Sequence, residues 1–347
     1  MNILFIGIGI IGQRHIRNIK SKFKNINFYT LRGNYSKNFY GDNKILKGDP
    51  IIKHNLKEIN FADINKKFKI DAAFICLPNY LHSKFLKKLF DKKIHVFLEK
   101  PGGVNKSDIK ILKNIQKNNK RKKIKIMLGY HLRFNPVIQS LKKLIDKKSV
   151  GKILNVLSEN GEHIADYRPF QKYWKVFHAK KSKGGGVLLN QIHEIDYLLY
   201  LFENYKFKLI NSINDKFSNI KIDTEDTISS NFIVKSPSGK FLITLLLNSF
   251  ERPKYRRLKI VGSKATLIAD LLKGRIEFFH YKSLNNGLLK SKKILKKTFK
   301  FKFKRNDLFK NEVNYFINSI KRNKAIEAKY GLAKSIKVLE LTLKIKK

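Results

Sequence analysis

Three short stretches of this sequence combine residue types and spacings that can support chemistry. Gly7-Ile8-Gly9-Ile10-Ile11-Gly12 has the G-x-G-x-x-G spacing of a loop that passes from strand to helix around a pyrophosphate. The first glycine permits the turn, the second lets backbone approach the phosphates, and the third allows close packing of helix on strand. Lys100, in Glu99-Lys100-Pro101, follows the apolar run 94–98. It therefore emerges at the carboxyl edge of a buried strand, where ligands of such sheets bind. A lysine there can hydrogen-bond a carbinol oxygen and offset the negative charge that develops as a hydride leaves. His193 follows the triple glycine 184–186 and is flanked by Glu194 and Asp196. Its imidazole titrates near neutral pH and suits it to take a proton from a hydroxyl group. Asp196, three residues on, shares a helix face with His193 and is placed to orient its ring.

The residues after the second strand bear on which dinucleotide would bind. An NAD site usually shows an acidic residue about 20 positions beyond the glycine loop, bonding the ribose 2′-hydroxyl. Here the strand ends Tyr29-Thr30-Leu31-Arg32-Gly33-Asn34, with no carboxylate. Arg32 sits where a cation could pair with a 2′-phosphate, and Arg14 is a second contact. NADP is expected, with NAD as the alternative and Arg32 then one more surface cation.

The elements that must position these residues fall into two textures. Apolar runs at 3–6, 26–31, 72–77, 94–98 and 124–129 alternate with helical spacing at 12–19, 80–91 and 106–118. Runs apolar on both faces are what a parallel sheet between helices requires, so a doubly wound α/β domain is expected over residues 1–128. From 129 to 347 strand-like segments follow one another at 153–159, 227–234, 240–248, 257–261, 265–270 and 275–280. That succession predicts an α+β domain with a large, mostly antiparallel, open-faced sheet. One helix is expected over 184–202 and two more over 307–321 and 330–346, with the last two packing back on the first domain.

Lys and Arg total 75 against 26 acids, a formal net charge of +49 over 347 residues. The imbalance first suggests a polyanion partner. Only 12 of the cations are arginine, however, and the other over-used residues, Ile, Asn and Phe, share A- or T-rich codons. A lysine-loaded surface is therefore compositional. In residues 298–304 lysine and phenylalanine alternate, which reads as an edge strand with phenylalanine inward and lysine in solvent. Nucleic acid is not expected, because such a groove needs exposed aromatics beside the cations. A single cysteine, Cys76, excludes an internal disulfide and a cysteine zinc site, and no metal is expected. The apolar N-terminus lacks a cationic leader and no run reaches the ~18 residues of a membrane span, so a cytoplasmic protein is expected.

Taken in order, these segments resemble the glucose-fructose oxidoreductase and inositol dehydrogenase (Gfo/Idh/MocA) family over essentially the full chain. Residues 7–15 look like its opening loop, Leu77-Pro78-Asn79 with His82 like its loop along the nicotinamide, and Glu99-Lys100-Pro101 like its EKP signature. Gly129-Tyr130-His131-Leu132-Arg133-Phe134-Asn135-Pro136 resembles its domain-crossing segment, and residues 184–196 its glycine-rich helix with a substrate-side histidine. The resemblance implies a cofactor site formed by Gly7, Gly9, Ile10, Ile11, Gly12, Arg14, Arg32, Leu77, Pro78, Asn79, His82, Glu99 and Lys100. It implies catalysis by Lys100 and His193, and a substrate held by Lys100, Arg133, Tyr173, Asn190 and His193, with Asn135 facing the same cleft. A cis peptide before Pro101 and a homodimer or homotetramer are further implications.

One departure matters. The family's polyol dehydrogenases usually place an aspartate four residues before the histidine, where this chain has Leu189, with Asn190 next to it. Asparagine cannot accept a proton. The resemblance is closer to branches acting on sugars, amino sugars or sugar nucleotides in surface-polysaccharide biosynthesis. A polyol dehydrogenase, or a catalytically silent member binding a polyanion, are the alternatives. The loop Asp166-Tyr167-Arg168-Pro169, with Tyr173 and Trp174, offers aromatic faces and a cation suited to a sugar or a phosphate, or else interface packing.

Overall fold

The structure, a computed structural model, describes residues 1–31, 33, 37–41, 44–281 and 294–346. Strands β1 (Asn2–Ile6), β2 (Asn27–Leu31), the short pair β3 (Phe39–Tyr40) and β4 (Ile45–Leu46), β5 (Leu56–Ile59), β6 (Ala72–Ile75), β7 (His95–Glu99) and β8 (Ile126–Gly129) make up the first half. Six of them form a parallel sheet in the order β5-β2-β1-β6-β7-β8. Ile3, Leu4, Phe5, Ala72, Ala73, Phe74, Val96, Phe97 and Leu98 are wholly buried, as a sheet covered on both faces demands. The strand order reverses between β1 and β6, which opens a crevice above their carboxyl ends. Helices α1 (Ile10–Lys20), α2 (Pro50–Lys53), α3 (His82–Asp91) and α4 (Lys106–Lys122) connect the strands. β5 was not legible: four residues reading Leu-Lys-Glu-Ile show no apolar run.

The chain crosses to the second half through a turn at His131–Phe134 and helix α5 (Pro136–Asp146), followed by β9 (Ile153–Gly161). Helices α6 (Val187–Asn190) and α7 (His193–Leu201) precede β10 (Lys206–Asp215), β11 (Thr227–Ser236), β12 (Gly239–Asn248), β13 (Tyr255–Gly262), β14 (Ala265–Asp270), β15 (Arg275–Tyr281) and β16 (Ile294–Lys300). The eight strands pair in the order β10-β11-β12-β9-β13-β14-β15-β16, antiparallel except at β9 and β12. β16 is an edge strand, with Phe299 half-buried between exposed Thr298 and Lys300. β10 had escaped notice because Ile210 bulges out of register against β11 and interrupts its alternation. Helices α8 (Arg305–Lys321) and α9 (Leu332–Ile345) return to the first half, where Phe316 meets Phe74 and Phe97 edge-on at 5.7 Å.

Two expectations change here. The helix expected over 184–202 is broken: Gly184 and Gly186 have φ of +71° and +107°, and α6 ends at Asn190 before α7 starts at His193. A side chain at Gly186 would collide with the Glu225 carboxylate, so the glycine is a packing requirement. The break leaves the Asn190 carbonyl outside any helical ladder. Second, Arg133 and Asn135 do not reach the substrate cleft. The Arg133 guanidinium donates its Nε to both Asp196 oxygens at 3.1 and 3.0 Å, and both side chains are buried. Asp196 is thereby committed to Arg133 and does not orient His193. Asn135 caps α5, its Oδ1 accepting from the Val137 amide at 2.8 Å.

A buried ion pair broken on one side leaves an uncompensated charge. Asp196→Asn should therefore lower stability by about 3–5 kcal/mol, whereas the double replacement Arg133→Met with Asp196→Leu should lose clearly less. Denaturant midpoints of the two variants check this; equal losses would mean that the pair's geometry, rather than its charge balance, sustains the crossing.

Candidate functional site

The glycine loop has the geometry of an anion cradle. Gly9 caps α1 without any side-chain hydrogen bond, and no acidic residue lies in the first turn. A Cβ built on Gly9 meets nothing within 4 Å, so backbone there is open to a phosphate. Gly7 has φ +95°, and a Cβ would approach the Cys76 carbonyl oxygen to 2.6 Å; one on Gly12 would strike the Gly7 carbonyl. These residues fit the pyrophosphate of a dinucleotide at a helix N-terminus. Arg32 lies outside the described residues. Arg14 departs from its expected place at the adenosine end, since its guanidinium sits 4.9 Å from the Phe309 ring centre and lines the same cavity as Lys100 and His193. On α1 it is Gln13 that faces the other way, bonding the Asn38 carbonyl and the Tyr40 amide.

That cavity, about 270 Å³, lies between the halves and brings together Ile10, Ile11, Leu77, Asn79, Lys100, Asn190 and His193. The loop after β6 joins the halves through Asn79, whose Nδ2 donates to the Gly184 carbonyl at 2.9 Å. His82, expected against the cofactor, spends both ring nitrogens on backbone: Nδ1 is 2.6 Å from the Pro101 carbonyl and Nε2 is 2.7 Å from that of Leu77. It clamps the two loops that flank the crevice. Pro78 introduces the short 3₁₀ turn Asn79–Leu81.

Lys100 precedes a cis peptide at Pro101 and donates from Nζ to the freed Asn190 carbonyl at 2.7 Å. Burial lowers its pKa to about 8, against the opposing pull of Glu99 and Glu194. Glu99 turns inward, 2.6 Å from His15 Nε2, and Glu312 of α8 completes a buried group whose ligating atoms lie within 4.8 Å. Both Glu312 oxygens lack a hydrogen-bond partner among the described residues. Burial, and then the Glu99 charge, push its carboxyl well above the usual range, so it holds a proton.

His193 is buried, and its Nδ1 has no partner among the described residues. Its ring stands nearly perpendicular to that of His131 at 4.4 Å, and His131 stacks on Phe309 at 4.3 Å. Burial holds both histidines far below their ordinary pKa, with the surrounding cations adding to it. Asn190 donates its Nδ2 to the His178 carbonyl at 3.1 Å. Tyr173 lies outside the cavity wall: its hydroxyl accepts from the Lys221 amide at 3.2 Å and its ring meets Trp174 at 5.1 Å. Trp174 is 37% exposed, so these aromatics belong to a satellite cluster rather than the site. Successive 3₁₀ turns at Tyr173–Lys175 and Phe177–Ala179 present Phe177 and His178 to the cavity instead. Sequence reasoning also missed Arg256, Arg305 and Phe309. Their signal was arginine in a lysine-rich chain, Arg305 standing directly after the Phe-Lys alternation of 299–304.

Residues 1–130 match the family described as "Oxidoreductase family, NAD-binding Rossmann fold", and residues 142–341 match its "C-terminal alpha/beta domain". The chain belongs to the Gfo/Idh/MocA oxidoreductase family. Its first half is the family's NAD-binding Rossmann domain. Among family relatives, the myo-inositol 2-dehydrogenase of Thermotoga maritima is 25% identical over 78% of this chain and 75% of its own. The 2,7-anhydro-N-acetylneuraminate hydratase of Mediterraneibacter gnavus is 28% identical over 42% of this chain. That match and two others span only 36%, 52% and 57% of the relatives' own lengths. A solved levoglucosan dehydrogenase in complex with NADH superposes with a TM-score of 0.77 at 15% identity, covering 100% of this chain and 96% of that one. Among the described residues no helix is long and apolar enough to cross a membrane.

The protonated Glu312 gives a testable consequence of the family fold. A carboxyl whose folded pKa is raised contributes its stability below the unfolded value and loses it as pH rises towards the folded one. Glu312→Gln removes that loss. The variant's melting temperature should exceed the parent's by a few degrees at about pH 8 and by less at about pH 5. A gain that is independent of pH would show that Glu312 is not held protonated.

Proposed function

We propose that the protein is an NAD(P)-dependent oxidoreductase that moves a hydride between nicotinamide and a carbinol or carbonyl carbon of a sugar, amino sugar or sugar nucleotide. The observation that supports it most is the meeting of Lys100 and His193 in one cavity walled by Ile10 and Ile11 of the glycine loop. When bound, the nicotinamide supplies the hydride acceptor or donor. Lys100, fixed by the Asn190 carbonyl, donates a hydrogen bond to the reacting oxygen. His193 stays neutral, since burial among cations opposes its protonation, and donates its ring N–H to the reacting oxygen. The group whose protonation changes near working pH is Lys100. Neutral Lys100 takes the hydroxyl proton in oxidation, and its ammonium returns it in reduction. His193, read from sequence as the base, becomes a positioning partner.

NADP is the proposed cofactor, supported by the absence of a carboxylate at the end of β2 and by Arg32 after it. A role in surface-polysaccharide sugar biosynthesis is supported by Leu189, with Asn190 beside it, where the family's polyol dehydrogenases have an acid. A polyol substrate is the competing reading, favoured by the relative named for myo-inositol. A homo-oligomer is supported by the open face of the second sheet, where Ile213 and Leu242 are 56% and 41% exposed.

For oxidation, kcat/KM should rise with pH through an inflection near 8, with no inflection near 6.5, and for reduction it should fall through the same point. Lys100→Ala should reduce turnover by about 10²–10⁴ while cofactor affinity changes little. Unchanged turnover, or an inflection near 6.5 that survives the substitution, would return the proton to a histidine. Arg32→Glu should shift the NADP to NAD preference by about tenfold or more towards NAD. Failure of both cofactors to raise the melting temperature or be turned over would overturn the oxidoreductase reading.

A further inference from the structure

Lysine outnumbers arginine by 63 to 12 in this chain, yet the cavity reverses the ratio: Arg14, Arg168, Arg256 and Arg305 line it, with only Lys100 and Lys254 beside them. A compositional bias towards lysine cannot produce that inversion. Arginine is the favoured residue where a carboxylate or phosphate is gripped through two of its oxygens by two parallel hydrogen bonds. Internal acids account for only part of these cations. Arg256 meets Glu194 through Nε at 2.6 Å, and Lys254 lies 3.5 Å from Glu162. Glu99 is turned towards His15. Arg168 has no carboxylate within 4.0 Å among the described residues, its guanidinium reaching only the Gln171 Oε1 at 3.5 Å, and Arg305 likewise has none. Apart from Arg14 on α1 and Lys100 after β7, these cations come from the second half and from α8. Arg256 and Arg168 act electrostatically on Lys100, and Arg256 and Arg305 on His193. The positive field is therefore centred on the hydride end of the cavity.

We infer that the sugar substrate carries an oxyanion, a phosphoryl or carboxylate group, which Arg168 and Arg305 grip with support from Arg256. This deepens the proposed function and rests on it for the reaction, though not for the binding. Both sources of the oxyanion present a pair of oxygens that a guanidinium can grip by two hydrogen bonds. A neutral polyol would leave several cations facing one another across a partly desolvated space.

The test measures binding and turnover separately on the full chain. At fixed ionic strength, calorimetry compares glucose, glucose 6-phosphate and glucuronate, with the cofactor bound. Glucose 6-phosphate or glucuronate should bind at least about tenfold tighter than glucose, and Arg168→Gln or Arg305→Gln should each remove about tenfold of that while cofactor affinity changes less than about twofold. The tighter of the two acids identifies the oxyanion. Retained cofactor affinity also shows that the variants fold. Equal affinity for glucose and the acids, or the same weak affinity in parent and variants, would overturn the subsite. Loss of cofactor affinity in both variants would overturn it too, by assigning the arginines to the dinucleotide phosphates. Arginine-dependent binding of a sugar acid without turnover by either cofactor would support the subsite and refute the oxidoreductase reading.

Discussion

The buried pairing of Arg133 with Asp196 is the constraint on which the site depends. Arg133 stands in the turn that follows the last strand of the parallel sheet, and Asp196 stands on α7, one helical turn beyond His193. The bidentate grip fixes the angle at which α7 meets that sheet. With α7 so placed, His193 falls against His131 of the same turn, and the end of α6 comes over the carboxyl edge of β7. Lys100 and Asn190, ninety residues apart in sequence, meet only because this pair sets the approach. A looser link, such as one surface ion pair, would leave the two halves free to slide by more than a hydrogen bond tolerates.

The broken helix is the second half of the same device. A continuous helix over 184–202 would have used the Asn190 carbonyl internally. Gly184 and Gly186, in left-handed conformations, and the interruption before His193 leave that carbonyl available to an ammonium group. This was not legible in the sequence, where the apolar rhythm from Val187 to Phe202 continues across the break. The glycine loop, five of the six parallel strands and most of the strands of the second sheet were legible, because each rests on local pattern: apolar runs, period-2 alternation and turns. Partners chosen across the fold were not. Asp196 lies only three residues from His193 in sequence, yet it belongs to Arg133. Tyr173 and Trp174 carry the residue types of a sugar platform, and the turns after them swing His178 into that place instead.

Charge gave the least in the linear sequence and the most in three dimensions. A formal +49 spread over the surface is mostly lysine and says little about recognition. Sorting the cations by type and by location separates the background from the site. Lysine shares the edge strand with inward phenylalanine, while arginine gathers around the cavity. Exposed lysines are screened within about 10 Å at ordinary salt, but charges around a partly enclosed cavity act on one another directly.

The absence of an acid four residues before His193, where Leu189 stands with Asn190 beside it, bears on the same field. A carboxylate beside Lys100 would favour the ammonium form and raise its pKa, as any opposite charge at such a distance does. The acids that remain are occupied elsewhere: Glu99 by His15, Glu194 by Arg256, and Glu312 by its own proton. With asparagine at 190 contributing only a backbone carbonyl, burial and neighbouring cations hold Lys100 at about 8. At that value its two protonation states interconvert readily near neutrality, which proton exchange with a carbinol requires. An aspartate would have fixed the lysine as a cation and left the proton to a histidine, but here His193 is too thoroughly surrounded by positive charge to take it. In the proposed reaction, the lack of that acid would move the proton from imidazole to amine.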